Sequence, residues 1–535
     1  MTTEQTARSV LFDGESLDIP GVVNVSEGRA SCRVPPSALR RAARSRAQFE
    51  DIVKADIPVY GVTTGYGEMI YMLVDRSKET ELQTNLVRSH SAGVGPLFAE
   101  NEARAVLAAR LNALAKGHSA VRPEVLERLA LYLNLGITPA IPEIGSLGAS
   151  GDLAPLAHIA SSLIGEGYLL RDGVRVETGP VLRQLGIEPL SLRFKEGLAL
   201  INGTSAMTGL GALIVDRAVN QVRQAEIVSA MVIETLRGST SPFLAEGHDV
   251  ARPHRGQIDS AANMRMLMRG SGLTVEHAVL RRWVQDTREQ GRDVQRTEVY
   301  LQKAYSLRAV PQVLGAVRDA LTHAAGKLDV ELNSANDNPL FFEDREVFHG
   351  ANFHGQPIAI AMDYVTIGLT QLGVLSERQT NRLLNRYLND GLPEFLVSGD
   401  PGLNSGFAGA QYPATALVAE NRTIGPASTQ SVPSNGDNQD IVSMGLIAAR
   451  NARRVLRNND TILAVEFLAA AQAVDLSGGR DRLSPAAEAT YLLVRSLAPT
   501  LDVDRYMADD IERVAEALAA GAFAAAVDQV TEGLR

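Results

Sequence analysis

Proline is missing from three long stretches of this sequence, and its absence allows helices of unusual length. The stretches lie between Gly203 and Pro242, from Ile358 to Leu392 and from Asp440 to Leu483. Each can hold a helix of about 30 residues, or about 45 Å, which is typical of a large bundle. The segment Ile358–Val374 is also apolar on nearly all faces, which favours the middle of a bundle or a subunit interface. We therefore predict a mainly α protein.

Shorter elements fill the rest of the chain. Strand signals are few, and the clearest are Tyr168–Leu170 and Val174–Val176 around the turn Asp172-Gly173. We predict a loop-rich N-terminal part over residues 1–200, a central bundle of long helices over 201–480 and a C-terminal helical segment over 481–535.

Composition excludes several classes of protein. Lys and Arg number 52 and Asp and Glu number 62, so the net charge of −10 disfavours nucleic acid and anionic membranes as partners. A single cysteine, Cys32, rules out an intramolecular disulfide, and the charged first residues lack the apolar core of a signal peptide. No uninterrupted apolar stretch is long enough to span a bilayer. We expect a cytoplasmic protein.

Common catalytic and binding motifs are absent. There is no phosphate-binding P-loop, and Gly65-Tyr66-Gly67 lacks the third glycine of a dinucleotide site. The nearest approach to a serine nucleophile motif, Gly148–Asp152, ends in Asp instead of Gly. His248 and His254 have no further ligands at metal-site spacing. We expect no metal and no external cofactor.

The run Ala149-Ser150-Gly151 is the most informative part of the sequence. A tight turn leading into a helix capped by Asp152 would explain the helix, but not three small residues in a row before it. Such a triplet can form a 4-methylidene-imidazol-5-one ring when the Gly151 nitrogen attacks the Ala149 carbonyl and two waters are lost. Glycine allows the close approach, and the serine hydroxyl leaves to create the methylene. The ring is a strong electrophile made from the chain itself.

Together with this run, the sequence resembles the aromatic amino acid ammonia-lyase and 2,3-aminomutase family over essentially its whole length. The resemblance rests on seven motifs in the family order, namely Tyr60–Gly67, Gly148–Leu153, Asn202–Thr204, Gln302–Arg308, Asn333–Pro339, Asn352–Gly355 and Asn438–Asp440. It is most similar to the tyrosine 2,3-aminomutases of enediyne antibiotic pathways. The resemblance implies the long-helix fold of histidine and phenylalanine ammonia-lyases.

The resemblance also implies roles for individual residues. The catalytic set would be Tyr60 as the base for the β-proton, the ring from Ala149, Ser150 and Gly151, and Asn202 and Tyr305 as supports of the ring and the bound amine. Since a free tyrosine has a pKa of about 10, positive potential near Tyr60 would have to favour its phenolate. The substrate-binding set would be Arg308 as the carboxylate clamp, Phe353 beside the ring, and His90, Tyr412, Glu68, Asn435, Gln439 and Tyr300 around the substrate.

Three of these positions bear on the substrate. Gln439 stands where histidine-specific members carry Glu, and Asn435 where many phenylalanine-type members carry Glu, so tyrosine is favoured. A neutral His90 can hydrogen-bond a phenol. The usual selectivity histidine of tyrosine lyases aligns with Ser89 instead, and this departure favours the aminomutase branch.

Several alternatives remain at this point. The resemblance implies conversion of L-tyrosine to β-tyrosine through a 4-coumarate-like intermediate, or release of 4-coumarate and ammonia by the same residues. Retention of the amine needs closed lids, and the candidates are the Tyr60–Asp75 loop and the segment Arg288–Asp293. The resemblance implies a homotetramer in which three subunits build each site. A fumarase-type helical tetramer and a non-catalytic helical scaffold are further alternatives.

Overall fold

The computed structural model describes residues 9–55, 57–288, 294, 302–343 and 346–535, and they form a mainly α protein. The helices, in chain order, are α1 (Ile19–Ser26), α2 (Pro36–Lys54), α3 (Glu79–His90), α4 (Glu100–Ala115), α5 (Pro123–Leu135), α6 (Leu153–Leu163), α7 (Thr178–Gln184), α8 (Glu196–Ile201), α9 (Ser205–Thr235), α10 (Arg255–Leu267), α11 (His277–Arg288), α12 (Tyr305–Arg308), α13 (Val310–Leu332), α14 (Gln356–Leu384), α15 (Ala408–Arg422), α16 (Gly445–Ser477), α17 (Pro485–Leu497), α18 (Ala508–Ala519) and α19 (Ala522–Asp528).

The strands are short. They are β1 (Ser9–Leu11), β2 (Ser31–Arg33), β3 (Val94–Leu97), β4 (Thr138–Pro139), β5 (Pro142–Ile144), β6 (Tyr168–Arg171), β7 (Val174–Glu177), β8 (Leu340–Phe341) and β9 (Val347–Phe348). The expected hairpin is confirmed, because β6 and β7 pair antiparallel around Asp172, whose φ is +51°. The antiparallel pair β3–β5 matters most for the site, since β3 follows α3 and β5 precedes the Ala149 turn.

The three predicted long helices are confirmed as α9, α14 and α16, with 31, 29 and 33 residues. Helix α16 ends before Gly478, whose φ of +63° suits a helix C-terminus. A fourth long helix, α13, has 23 residues and carries Pro311 in its first turn, where a missing N–H costs nothing.

Helix α14 is apolar, as predicted. Among the described residues it is the one helix whose length and composition would allow it to cross a membrane, and 61% of that apolar window is buried inside the protein. An exposed apolar stripe remains along it at Ile360, Tyr364 and Ile367, which are 54%, 43% and 59% exposed.

The chain divides into two compact units, each made of three segments. The first unit contains Met1–Asp216, His323–Tyr364 and Pro426–Asn451, and the second contains Arg217–Thr322, Val365–Gly425 and Ala452–Arg535. The three parts expected from the sequence, residues 1–200, 201–480 and 481–535, were defined by helix content along the chain. That division stays a prediction.

Candidate active site

The Ala149-Ser150-Gly151 turn lies in the first unit, immediately before α6. Gly148 and Gly151 have φ values of +71° and +75°, which only glycine adopts readily. A Cβ atom on Gly151 would lie 2.2 Å from the carbonyl oxygen of Gly203. Glycine is therefore required at position 151 by packing as well as by backbone conformation.

The segment Asn202–Gly203 clamps this turn from the side. The Asn202 side-chain amide donates to the Ser150 carbonyl oxygen at 2.8 Å, and the Asp152 amide donates to the Gly203 carbonyl oxygen at 2.7 Å. The Asn202 side-chain oxygen accepts from the Asn338 amide at 2.7 Å. The expected proximity of Asn202 to the triplet is thus observed.

Asp152 does not cap its own helix, so that expectation was wrong. Its carboxylate instead accepts from the Ser146 hydroxyl and from the Met207 amide, both at 2.8 Å. Met207 lies in the first turn of α9, where the helix dipole favours a negative charge. Burial raises the pKa of Asp152 to about 6, against the opposing effect of these hydrogen bonds. The Asp152 carboxyl group joins the turn to α9 through the Met207 hydrogen bond.

Tyr60 occupies a turn that ends at Gly67. Its phenol oxygen accepts a hydrogen bond from the Gly67 amide at 2.9 Å, and its ring stands edge-on to that of Tyr66 at 6.3 Å. A backbone N–H of its own loop is thus the observed hydrogen-bond donor to the phenol oxygen of the candidate base.

Tyr66 differs from Tyr60 although both belong to the same motif. Burial raises the pKa of Tyr66 above its usual value, the hydrogen bond from Gln83 opposes this, and the negative charge of an ionised Tyr60 adds to it. The Gln83 amide lies 2.8 Å from the Tyr66 oxygen. Tyr66 therefore stays neutral when Tyr60 ionises. The contact between Tyr66 and Gln83 was not predicted, because no sequence motif marks Gln83.

A segment from Ser434 to Gln439 connects the tyrosine loop to the turn. A Cβ atom on Gly67 would lie 2.3 Å from the Asn435 side-chain nitrogen, and one on Gly436 would lie 3.1 Å from Glu68. The Gln439 side-chain nitrogen donates to the Ser150 hydroxyl at 3.3 Å. The predicted residues Tyr60, Glu68, Ser150, Asn202, Asn435 and Gln439 therefore belong to one continuous set of contacts.

His90 is the last residue of α3 and is half-buried. Its Nδ1 atom lies 2.9 Å from the Leu86 carbonyl oxygen and 3.0 Å from the Ser89 hydroxyl. When Nδ1 donates to the carbonyl, Nε2 of the neutral ring is left as an acceptor. This tautomer suits a ligand that presents a hydroxyl group.

The remaining predicted residues are distributed over both units. Phe353 is half-buried in the first unit, in the turn before α14. Tyr305 and Tyr412 lie in the second unit and are 74% and 72% exposed. Tyr300 lies outside the described residues, as do residues 289–293 of the second lid candidate.

Arg308 also lies in the second unit. Its guanidinium stands over the Tyr305 ring, 4.7 Å from the centroid, and its Nε donates to the Lys303 carbonyl oxygen at 3.0 Å. It lines a cavity of about 280 Å³ together with Lys303 and His277. The Lys303 ammonium is paired with Asp390 at 2.7 Å, so the Arg308 guanidinium is the group in this cavity that suits an anionic ligand such as a carboxylate.

No group of three or more His, Cys, Asp or Glu side chains that could hold a metal ion is found among the described residues.

The chain is similar to known proteins over most of its length. The family described as aromatic amino acid lyase matches residues 17–496. A MIO-dependent tyrosine 2,3-aminomutase from Streptomyces globisporus is 75% identical over 523 residues, which cover 98% of this chain and 97% of that protein. A tyrosine ammonia-lyase from Cupriavidus metallidurans is 56% identical over 96% of each chain. The crystal structure of a tyrosine aminomutase from Streptomyces globisporus covers 98% of this chain and 100% of its own, with 74% identity and a TM-score of 0.97.

Proposed function

Since this chain is an enzyme that belongs to the aromatic amino acid lyase family, we propose that it is a tyrosine 2,3-aminomutase that converts L-tyrosine to β-tyrosine. The observation that carries this proposal is the set of contacts from Tyr60 through Asn435 and Gln439 to Ser150. It brings a candidate base to the same site as a backbone turn that can become an electrophile. The identity to a tyrosine 2,3-aminomutase supports the choice of substrate.

The family implies a 4-methylidene-imidazol-5-one group at Ala149-Ser150-Gly151, and the residues present fit it. Gly148 and Gly151 have left-handed backbone conformations, and the Gly203 backbone leaves no space for a side chain at position 151. Once formed, the group supplies the electrophile that captures the α-amino group, which is otherwise a poor leaving group.

The other residues act on the rest of the substrate. Tyr60 removes the β-proton, and the Gly67 amide stabilises the phenolate that accepts it. Arg308 pairs with the substrate carboxylate. His90 accepts a hydrogen bond from the substrate phenol through Nε2. Loss of the β-proton and the amine gives a 4-coumarate-like intermediate, and return of the amine to Cβ and of a proton to Cα gives β-tyrosine.

Product analysis tests this proposal. The purified enzyme is incubated with L-tyrosine, and β-tyrosine, 4-coumarate and ammonia are separated by chromatography over time. We expect β-tyrosine as the main product and 4-coumarate as the minor one. The identity to a tyrosine ammonia-lyase makes that activity the second candidate, and 4-coumarate as the only organic product would establish it instead.

We expect a homotetramer in which different subunits complete each site, in a symmetry common among soluble oligomers. The exposed apolar stripe on α14 supports an interface, and the exposed Tyr305 and Tyr412 are accessible to a site on another copy.

Complementation tests this arrangement. Tyr60→Phe and Arg308→Ala are each expected to be inactive alone. When the two variants are co-expressed and purified as mixed tetramers, we expect a fraction of the activity to return, because some sites then combine an intact Tyr60 with an intact Arg308. Mixed tetramers with no activity would mean that one subunit supplies both residues.

His90→Phe tests recognition of the substrate ring. A site built to hydrogen-bond a hydroxyl rejects an analogue that lacks it, because a buried polar group is left unpaired. We expect the preference for tyrosine over phenylalanine, measured as the ratio of kcat/KM in competition assays, to fall by at least about tenfold. An unchanged ratio would assign selectivity to another residue.

We also propose a biological role and a cellular location. The resemblance to the enediyne branch supports a role in making β-tyrosine for an antibiotic of that class. A cytoplasmic location is supported by Cys32, which is buried as a free thiol.

A further inference from the structure

Arg110, on α4, is among the largest side chains that are completely buried. Its Nη1 atom donates to the Asn202 carbonyl oxygen at 2.9 Å and to the Asn336 side-chain oxygen at 3.2 Å. No motif in the sequence marks this residue. It nevertheless contacts the segment that clamps the Ala149-Ser150-Gly151 turn.

The charge and the hydrogen bonding of Arg110 indicate a role beyond stabilising the fold. Burial lowers its pKa to about 10, which the carboxylates of Asp337 and Asp152 oppose, so it stays charged at neutral pH. Its Nε and Nη2 atoms have no hydrogen-bond partner in the part of the chain that the structure describes. Asp337 is already paired with the fully buried Lys195 at 2.6 Å. A buried and incompletely bonded cation is costly, so its presence points to a role in the site.

Arg110 contacts the backbone of the segment Asn202–Gly203. A Cβ atom on Gly203 would lie 2.2 Å from Arg110 Nη1, which shows how closely the guanidinium contacts this backbone. The same segment bonds the turn through Asn202 to the Ser150 carbonyl oxygen and through Gly203 to the Asp152 amide. A shift of Arg110 would therefore be transmitted to the peptide between Ser150 and Gly151.

That peptide takes part in ring closure. The Gly151 nitrogen forms a bond to the Ala149 carbonyl carbon, and the carbonyl oxygen leaves as water with the Gly151 and Ser150 amide hydrogens. The Ser150 hydroxyl then leaves as a second water with the Ser150 α-hydrogen. Removal of that hydrogen places negative charge on the Ser150 carbonyl oxygen, and the Asn202 amide that donates to this oxygen stabilises the charge.

We propose that Arg110 is a positioning residue for formation of the ring: it holds Asn202 and Gly203 so that the Ser150–Gly151 peptide is aligned for closure and dehydration. The proposal rests on the proposed function only in that the ring forms in this chain. It assigns Arg110 no contact with the substrate.

Mass spectrometry of the folded protein tests the proposal without measuring activity. The rate at which newly synthesised chains lose the mass of two waters is followed in wild type, Arg110→Met and Arg110→Lys. Arg104→Met is the matched control, because Arg104 lies on the same helix and donates to the backbone carbonyls of Ser26, Val25 and Leu133. We expect ring formation to slow at least about tenfold in Arg110→Met, as for loss of one charge-assisted hydrogen bond, and less in Arg110→Lys. Arg104→Met should lower Tm and keep the wild-type rate.

The outcomes separate this proposal from the proposed function. Wild type that never loses two waters would overturn the ring and with it the assigned chemistry. Folded Arg110→Met that loses both waters at the wild-type rate would overturn the positioning role, even if its Tm fell. Loss of a buried charge beside Asp337 can unfold a protein. If Arg110→Met does not fold, Arg110→Lys is the second test, and ring formation at the wild-type rate in Arg110→Lys would also overturn the proposal.

Discussion

Ser150→Ala should abolish turnover and leave the fold intact. The substitution removes the hydroxyl whose loss creates the electrophilic methylene, so kcat for tyrosine should fall by at least about a thousandfold, the scale on which loss of a covalent catalytic group acts. Relative to the chain before ring closure, the substitution removes a half-buried hydroxyl whose one hydrogen bond among the described residues comes from Gln439 at 3.3 Å. The free energy of unfolding should therefore change by about 1 kcal/mol or less.

Ser162→Ala is the control for this experiment. Ser162 is buried near the C-terminal end of α6, and its hydroxyl donates to the Ile159 carbonyl oxygen within the same helix. We expect this variant to keep the wild-type kcat and near-ultraviolet absorbance, whereas Ser150→Ala loses the absorbance of the ring. Substantial turnover by Ser150→Ala would refute the role of the triplet, and identical spectra of wild type and Ser150→Ala would favour a non-catalytic scaffold.

The Tyr60→Phe variant should bind tyrosine but convert it very slowly. The phenyl ring keeps the shape of the pocket, but the oxygen that accepts the β-proton and the Gly67 hydrogen bond is gone. We expect kcat to fall by about 10²- to 10⁴-fold, as for loss of a general base, and KM to change by no more than a few-fold.

Tyr66→Phe makes a closely matched control, because the two rings are only 6.3 Å apart. Tyr66 stays neutral, and its oxygen serves only as a partner of Gln83 in the described contacts. We expect this variant to lose about 1 kcal/mol of stability and to keep kcat within about threefold. If the kcat of Tyr60→Phe also stays within a few-fold of wild type, another residue is the base.

The elements of the fold could largely be predicted, and some of the predicted site residues, Ser150, Asn202 and Gln439, are in contact. Helices α9, α14 and α16 follow from long runs of helix-forming residues without proline, because helix formation depends on neighbouring residues. The hairpin β6–β7 follows in the same way from Asp172-Gly173. The triplet Ala149-Ser150-Gly151 could also be identified from the sequence, because the proposed ring needs only three adjacent residues.

Which distant atoms meet was decided by the tertiary structure alone. Asp152 was expected to cap α6, yet its carboxylate bonds Met207, 55 residues away. Gln439 reaches Ser150 across 289 residues, and Arg110 reaches Asn202 across 92. The sequence by itself determined the helices, the glycine turns and the reactive triplet, because these depend on local backbone conformation and on adjacent functional groups. The packed chain decided which tyrosine stays neutral and which buried charge supports the turn, because desolvation and long-range hydrogen bonds exist only after folding.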